Sequence, residues 1–348
     1  MRGSLLLRAD AGFEIGTGHV MRLLALVEAW QTAETEGEPG AVWLLGCVPM
    51  PGVRQRLIEA GVIVYDLKET HPDPGDSMAL SHLAEVFQPD WIVLDGYRFD
   101  ADYQAAARAL GKPLLVIDDM ARHAHYHADL LLNPNVNAEV VRYTTDPDTH
   151  LLLGARYCLL RSEIQHAQSE TNPTEKTARS PVRLLVTMGG AATQTLIGTA
   201  LAAIASLGTG WETKVVLGSA THDWGELPGV EILRDVRAMG ALMAWADLAL
   251  SASGTTAWEL ASLGVPTLLV VVADNQVSVA QAADAAGFSI DLGWWENVSV
   301  AQIVYALEQL AADAQKRAAM RAAGRACVDG AGAIRVVQAM RDYRPASF

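Results

Sequence analysis

Apolar positions fall in two kinds of run along this chain. Short, near-continuous blocks occupy Ser4 to Arg8, Val42 to Val48, Val62 to Leu67, Trp91 to Leu94, Leu114 to Ile117 and Asp129 to Leu132. Blocks of this length without polar alternation are what parallel strands look like when both faces of their sheet are covered. Between them, segments such as Val20 to Trp30 and Ala101 to Leu110 space their apolar residues at helical intervals. The pattern predicts strand–helix–strand alternation and hence a doubly wound parallel sheet.

The alternation stops at HAQSETNPTEKTARSP, residues 166–181, which is polar and carries two prolines. A second series begins at once with VRLLVTMGG, TKVVLG, VEILRDV, ADLALSASG and PTLLVVVAD. The reading is an N-terminal Rossmann-like domain over 1–165, a linker over 166–181 and a C-terminal Rossmann-like domain over 182–348. A length of 348 residues suits two domains of ~150 to 200 residues each.

Composition narrows the function classes. With 51% hydrophobic and 19% charged residues the chain reads as globular rather than disordered. Its longest apolar runs, such as Val265 to Ala273, stop well short of the ~20 residues that cross a bilayer. The opening MRGSLLLRAD has too short an apolar stretch for a signal peptide, so the expected compartment is the cytoplasm. Cys47, Cys158 and Cys327 are far apart with no CxxC, which predicts reduced thiols and neither a disulfide framework nor a cysteine metal site. A formal charge of −14 argues against a nucleic-acid partner, whose backbone requires clustered Lys and Arg. A small anionic ligand held by backbone amides remains open; oligomeric state is not readable.

In such sheets ligands bind beyond the carboxyl ends of strands, which directs attention to four loops. The first follows LLLRAD: AGFEIGTG, then His19 at the start of a helix. Gly16 and Gly18 let the backbone turn and approach a ligand, and the helix N-terminus favours a neutral imidazole able to accept a proton. The plain alternative is a histidine that only caps the helix. TMGGA offers Gly189 and Gly190, and SASGTTAWELASLGVP offers Ser253, Gly254, Thr255 and Thr256, as amide and hydroxyl donors to a phosphate, with Glu259 one turn on as an acceptor for a ribose diol. The plain alternative for Glu259 is a solvated helix residue, although its neighbours are apolar. The fourth loop, VVADNQVS, presents Asn275 and Gln276, which suit a sugar or a water. Asp95, Asp118 and Asp119 end neighbouring strands and are open candidates to orient His19 or bind sugar hydroxyls. His123, His125 and His127 alternate, yet no carboxylate or cysteine spacing completes a metal site, and none is expected. Trp294 and Trp295 read as packing or interface residues.

Taken together, RADAGFEIGTGHVMR, LDGYRFD, VIDDMARHAHYHADLLLNPN, LLGARYCLLRSEI, LLVTMGG, ADLALSASGTTAWELASLGVP and DNQ resemble, in this order, the UDP-sugar hydrolases of pseudaminic acid biosynthesis. Those enzymes are relatives of the GT-B glycosyltransferases. The resemblance implies a GT-B-like α/β fold of two Rossmann-like domains facing a central cleft. It further implies metal-independent, inverting release of UDP from UDP-2,4-diacetamido-2,4,6-trideoxy-β-L-altropyranose, with no cofactor. His19 is then the active-site histidine and serves as general base, Tyr97 and Asn275 line the sugar and water site, and the Ser253–Thr256 loop with Glu259 holds the nucleotide; Arg22 and Asp95 are further candidates for substrate binding. One departure stands out: where many members read GG-x-D-x-x-N, this chain has Gly189-Gly190-Ala191-Ala192-Thr193-Gln194. Two rivals stay beside this reading, an inverting GT-B transferase in which His19 deprotonates an acceptor hydroxyl, and a non-catalytic nucleotide-sugar-binding protein.

Overall fold

The computed structural model describes residues 3–12, 15–32, 40–170, 181–189, 193–218, 224–225, 227–234 and 236–344. The chain divides into two compact units, Met1–Arg161 with Ala331–Phe348, and Ser162–Gly330. Each is built on one parallel sheet with helices in most of the connections between successive strands.

In the first unit the strands are β1 (Leu5–Ala9), β2 (Val42–Gly46), β3 (Val62–Asp66), β4 (Trp91–Asp95), β5 (Leu114–Ile117), β6 (Leu130–Asn133) and β7 (His150–Leu153), in the order β3-β2-β1-β4-β5-β6-β7. In the second they are β8 (Val182–Thr187), β9 (Trp211–Leu217), β10 (Val230–Arg234), β11 (Leu248–Ala252), β12 (Thr267–Val271) and β13 (Ser289–Trp294), in the order β10-β9-β8-β11-β12-β13. Leu5, Leu6 and Leu7 are all fully buried although neighbouring side chains on a strand point to opposite faces. Both faces are therefore covered, which is why the run shows no alternation. Two strands escaped the sequence reading, β7 and β13, and both lie at a sheet edge. There one face is partly open, Leu151 being 43% exposed, and the apolar run is correspondingly weaker.

The strand order fixes where loops converge. Sheet order reverses between β1 and β4 in the first unit and between β8 and β11 in the second. At such a switch point the loops leaving the two strands turn to opposite faces and open a crevice at the carboxyl edge. The register Ala9↔Asp95 puts the ends of β1 and β4 side by side, and Ser251↔Thr187 does the same for β11 and β8.

The unit boundaries correct the sequence expectation twice. Residues 166–170, expected in a linker, complete a helix that begins at Ser162 and belongs to the second unit, while 171–180 lie outside the described residues. The last helix, Gly332–Asp342, was expected in the C-terminal domain but packs in the first unit. Its Ala333, Val336, Val337 and Met340 join Leu23, Val27 and Trp30 in one core. Gly332 allows that docking, since a Cβ there would sit 2.2 Å from the Cys158 carbonyl oxygen. An amphipathic helix announces that it will bury a face, not which sheet it will bury it on. Among the described residues no helix is long and apolar enough to cross a membrane.

Candidate functional site

The first site grows from the end of β1. Gly16, at φ +73°, reverses the loop through a backbone conformation that side chains disfavour, and the bridge between Gly12 and Gly16 closes it. A helix, Gly18–Thr32, starts at once. Gly18 itself has an ordinary backbone and open space around it, so nothing in the local packing demands a glycine there. His19 and Arg22 are three residues apart and share the helix face turned to β4. Both are buried, at 7% and 5% exposure.

That face meets Asp95, the last residue of β4. His19 Nδ1 lies 2.7 Å from Asp95 Oδ1, and Arg22 donates from Nε to Oδ2 at 2.6 Å and from Nη2 to Oδ1 at 2.5 Å. Arg22 also donates from Nη1 to Asp119 Oδ2 at 2.9 Å, and Tyr97 Oη donates to the same oxygen at 3.3 Å. The Tyr97 and His19 rings meet in a T-shaped arrangement, centroids 4.6 Å apart at 75°. Arg22 was expected to bind substrate, but these bonds commit three of its nitrogens to ordering Asp95 and Asp119.

Electrostatics then fixes the histidine tautomer. Burial alone would raise the Asp95 carboxyl, but the Arg22 guanidinium and His19 outweigh it and hold it below the usual carboxylate range. Burial likewise opposes the charge on Arg22, and Asp95 and Asp119 more than offset it. An ionised carboxylate 2.7 Å from Nδ1 requires a proton on that nitrogen. Arg22 Nη2, 3.3 Å from Nδ1, is a donor facing a donor and spends its hydrogen on Asp95 instead. In the neutral ring Nε2 is thus the basic nitrogen, and it makes no hydrogen bond among the described residues. Two carboxylates against one guanidinium leave surplus negative charge beside the ring, which favours an imidazolium as it forms. The histidine–carboxylate pair can take a proton from a hydroxyl and hold the resulting charge.

The three strand-end aspartates are now distinguishable. Asp95 orients the imidazole. Asp118 Oδ1 accepts from the Met120 and Ala121 amides at 3.0 and 2.7 Å and from Tyr143 Oη at 3.1 Å, so it shapes the turn after β5. Asp119 faces the His19 cluster, and its Oδ1 is enclosed without a hydrogen-bond partner among the described residues.

A second buried cluster stands beside the first, and the sequence reading missed it. Arg8, fully buried in β1, donates to Asp10 at 2.6 and 3.0 Å and to Asp76 at 2.9 and 2.7 Å. Asp76 further accepts from Tyr103 Oη and His71 Nδ1, both at 2.7 Å, and Asp10 from the Cys47 and His71 amides at 2.8 and 2.9 Å. Asp100 caps the helix Ala101–Arg108 by accepting from the Tyr103 amide, which holds Tyr103 in reach of Asp76.

In the second unit the predicted residues gather around β11 and β12. The amides of Gly254, Thr255 and Thr256 make no hydrogen bond among the described residues, while those of Ala257 and Trp258 bond back to Gly254 and Thr255 carbonyls. Ser253 Oγ donates to the Val270 carbonyl at 3.2 Å and to Gln276 Oε1 at 3.4 Å. Gln276 Oε1 also accepts from the Val272 amide at 3.1 Å. Gln276 therefore ties the two loops together, a more structural post than the sequence suggested. Glu259 lies in the helix Thr256–Ser262 and is buried at 9% exposure, which removes the solvated alternative. Asn275 lies in a short 3-10 turn, Asp274–Gln276, and is half-buried. Gly189 follows β8, whereas Gly190 lies outside the described residues. Trp295 packs on the core of the second unit.

Comparison with known proteins places these features in context. Residues 184–331 match the glycosyltransferase family 28 C-terminal domain. The chain is 24% identical to the spore coat polysaccharide biosynthesis protein SpsG of Bacillus subtilis strain 168 over 362 residues, covering 96% of each. Its fold is similar to that of Acinetobacter baumannii MurG, with a TM-score of 0.67, 16% identity, and coverage of 98% of this chain and 100% of that one. It is also similar to S. aureus MnaA in its structure with UDP, with a TM-score of 0.63, 13% identity, and coverage of 99% and 100%. Two Rossmann-like units of the GT-B kind are thus the fold, as the sequence predicted.

Proposed function

We propose that this protein is an inverting glycosyl-transfer enzyme that takes its sugar from a nucleotide-sugar donor, with His19 Nε2 as the general base. The observation that carries the reading is the His19–Asp95 pair at the β1–β4 switch point, with Nδ1 committed to the carboxylate and Nε2 left to accept. Chemistry follows in one displacement. Nε2 takes the proton of an acceptor hydroxyl, its oxygen bonds to the anomeric carbon, and the bond to the diphosphate oxygen breaks with its electron pair. Asp95 compensates the imidazolium.

The nucleotide falls to the second unit in this proposal. The match to a glycosyltransferase C-terminal domain supports that assignment, as does UDP bound in a protein of similar fold. The open amides of Gly254 to Thr256 stabilise charge on the departing diphosphate, Glu259 accepts from the ribose hydroxyls and Asn275 orients the sugar. Tyr97, T-shaped against His19, borders the reacting centre.

A second reading replaces the acceptor by water and makes the protein a nucleotide-sugar hydrolase. The N-terminal motifs GTGHVMR and DGYRFD favour it, because they resemble those of the UDP-sugar hydrolases of pseudaminic acid biosynthesis. The transfer reading is preferred on the match of residues 184–331 to a glycosyltransferase C-terminal domain. Incubation with a panel of nucleotide sugars, with and without polysaccharide-type acceptors, tests both. Nucleotide release that depends on an acceptor supports transfer. Equal release in water alone, with inverted free sugar seen by NMR, selects hydrolysis. Binding of nucleotide sugars with no turnover under either condition overturns both.

A further inference from the structure

The chain after β5 runs from Asp118 and Asp119 through HAHYH to β6, and its alternating histidines do not behave alike. His123 turns to Tyr126, ring centroids 5.3 Å apart. His125 and His127 converge instead, at 4.5 Å, on Asp146. Asp146 Oδ1 lies 2.8 Å from His125 Nε2 and 3.2 Å from His127 Nδ1, and its Oδ2 lies 3.0 Å from the latter. The three side chains are 33%, 31% and 20% exposed, so an ion from solvent can reach them.

The geometry points to a binding site for one first-row divalent transition-metal ion, ligated by His125 Nε2, His127 Nδ1 and Asp146 Oδ1. The ligand atoms all lie within 4.8 Å of one another. Bond lengths of ~2.0 to 2.2 Å place tetrahedral ligands about 3.4 Å apart, so small rotations open the present spacing to that value. Two imidazoles and one carboxylate select zinc, cobalt, nickel or copper over magnesium or calcium, which prefer all-oxygen ligands. Each neutral ring moves its proton to its other nitrogen to bind, and water completes the coordination.

The surroundings divide the carboxylate between two duties. Arg108 bonds Asp146 Oδ2, and also Asp129 at 3.1 Å and Asp148 at 2.5 Å. Its guanidinium orients Asp146 from behind and leaves Oδ1 to the histidines, as outer-shell partners of metal ligands do. Three carboxylates around one guanidinium leave negative charge that favours a cation. The ion would fasten the segment that begins at Asp119 to the segment carrying Asp146, two stretches that the Tyr126↔Thr145 bridge and the Tyr126–Tyr143 ring contact also join. This inference is independent of the glycosyl-transfer reading, since none of its ligands belongs to the His19 cluster.

The test uses untagged, chelator-treated full-length protein titrated with Zn²⁺ by calorimetry and with Co²⁺ by visible absorption. Wild type and His123→Ala should each bind one equivalent, and excess Mg²⁺ should not compete. His125→Ala and His127→Ala should bind at least about tenfold more weakly. In wild type, ¹⁵N spectra of the rings should show Zn²⁺ moving His125 Nε2 and His127 Nδ1 but not His123, a readout that needs no variant. No saturable binding by wild type, or a loss in His123→Ala as large as in His127→Ala, would overturn the site and leave a histidine–aspartate hydrogen-bond clip.

Discussion

Two buried arginines, Arg8 on β1 and Arg22 on the helix that follows it, each face two aspartates, and the difference between them separates structure from chemistry. Around Arg8 every carboxylate oxygen of Asp10 and Asp76 accepts two hydrogen bonds. Around Arg22 the network is open: Asp119 Oδ1 has no partner among the described residues, and His19 Nε2 has none either. Saturated carboxylates rigidify the strand ends and have no oxygen left to accept from a ligand. An open one holds its groups in place yet leaves one nitrogen to act. The same residue types, at the same edge of the same sheet, therefore carry different expectations.

Asp95→Asn should break the contrast most strongly. An amide cannot accept from both His19 and Arg22 on two oxygens, and its NH₂ favours the wrong imidazole tautomer. Turnover should fall about 10³- to 10⁴-fold, and loss of the buried counter-ion to Arg22 should show as lower stability in denaturant unfolding. Turnover within tenfold of wild type would mean that Asp95 does not set the tautomer.

Asp76→Ala probes the closed cluster. It strips Arg8 of a partner in a fully buried site, and such losses cost about 3 to 5 kcal/mol of stability. Turnover per folded molecule should be unchanged. The pH dependence sharpens this. Burial would raise the Asp76 carboxyl, but His71, Arg8 and Tyr103 together hold it far below the ordinary carboxylate range. A depressed folded value contributes stability above the unfolded value of ~3.9 and loses it as pH falls further. Urea unfolding from pH 7 to 3 should show wild type losing more stability below about pH 4 than Asp76→Asn does; parallel curves would deny the carboxylate that role.

The smallest expected effect lies in the second unit. Glu259→Ala should weaken UDP affinity by about 1 to 3 kcal/mol, the cost of leaving hydrogen-bonding partners unpaired. Calorimetry giving unchanged affinity in a folded variant would remove Glu259 from nucleotide binding.

What could be read in advance follows the range of the interactions. Gly16, His19 and Arg22 lie within seven residues, so a turn and a helix face announce them. The central strands announce themselves as apolar blocks, while the edge strands β7 and β13 do not. Arg8 was hidden inside an apolar run, and its partner Asp76 is 68 residues away. Asp118 and Asp119 are adjacent on an irregular turn, and only coordinates show that one folds back on its own loop while the other faces Arg22. Asp146 escaped for the same reason: HAHYH displays two ligands, and the carboxylate arrives from 19 residues beyond His127.

The central claim is that His19 Nε2 removes the proton from the attacking hydroxyl, and one comparison tests it most directly. On the nucleotide sugar that wild type turns over, kcat of His19→Asn is measured together with its affinity for the free nucleotide. Asparagine can still donate to Asp95 but cannot serve as the base. The account predicts kcat lower by about 10²-fold or more, with nucleotide affinity unchanged because the second unit supplies that binding. A variant that keeps the wild-type kcat would contradict it and reduce His19 to a structural partner of Asp95.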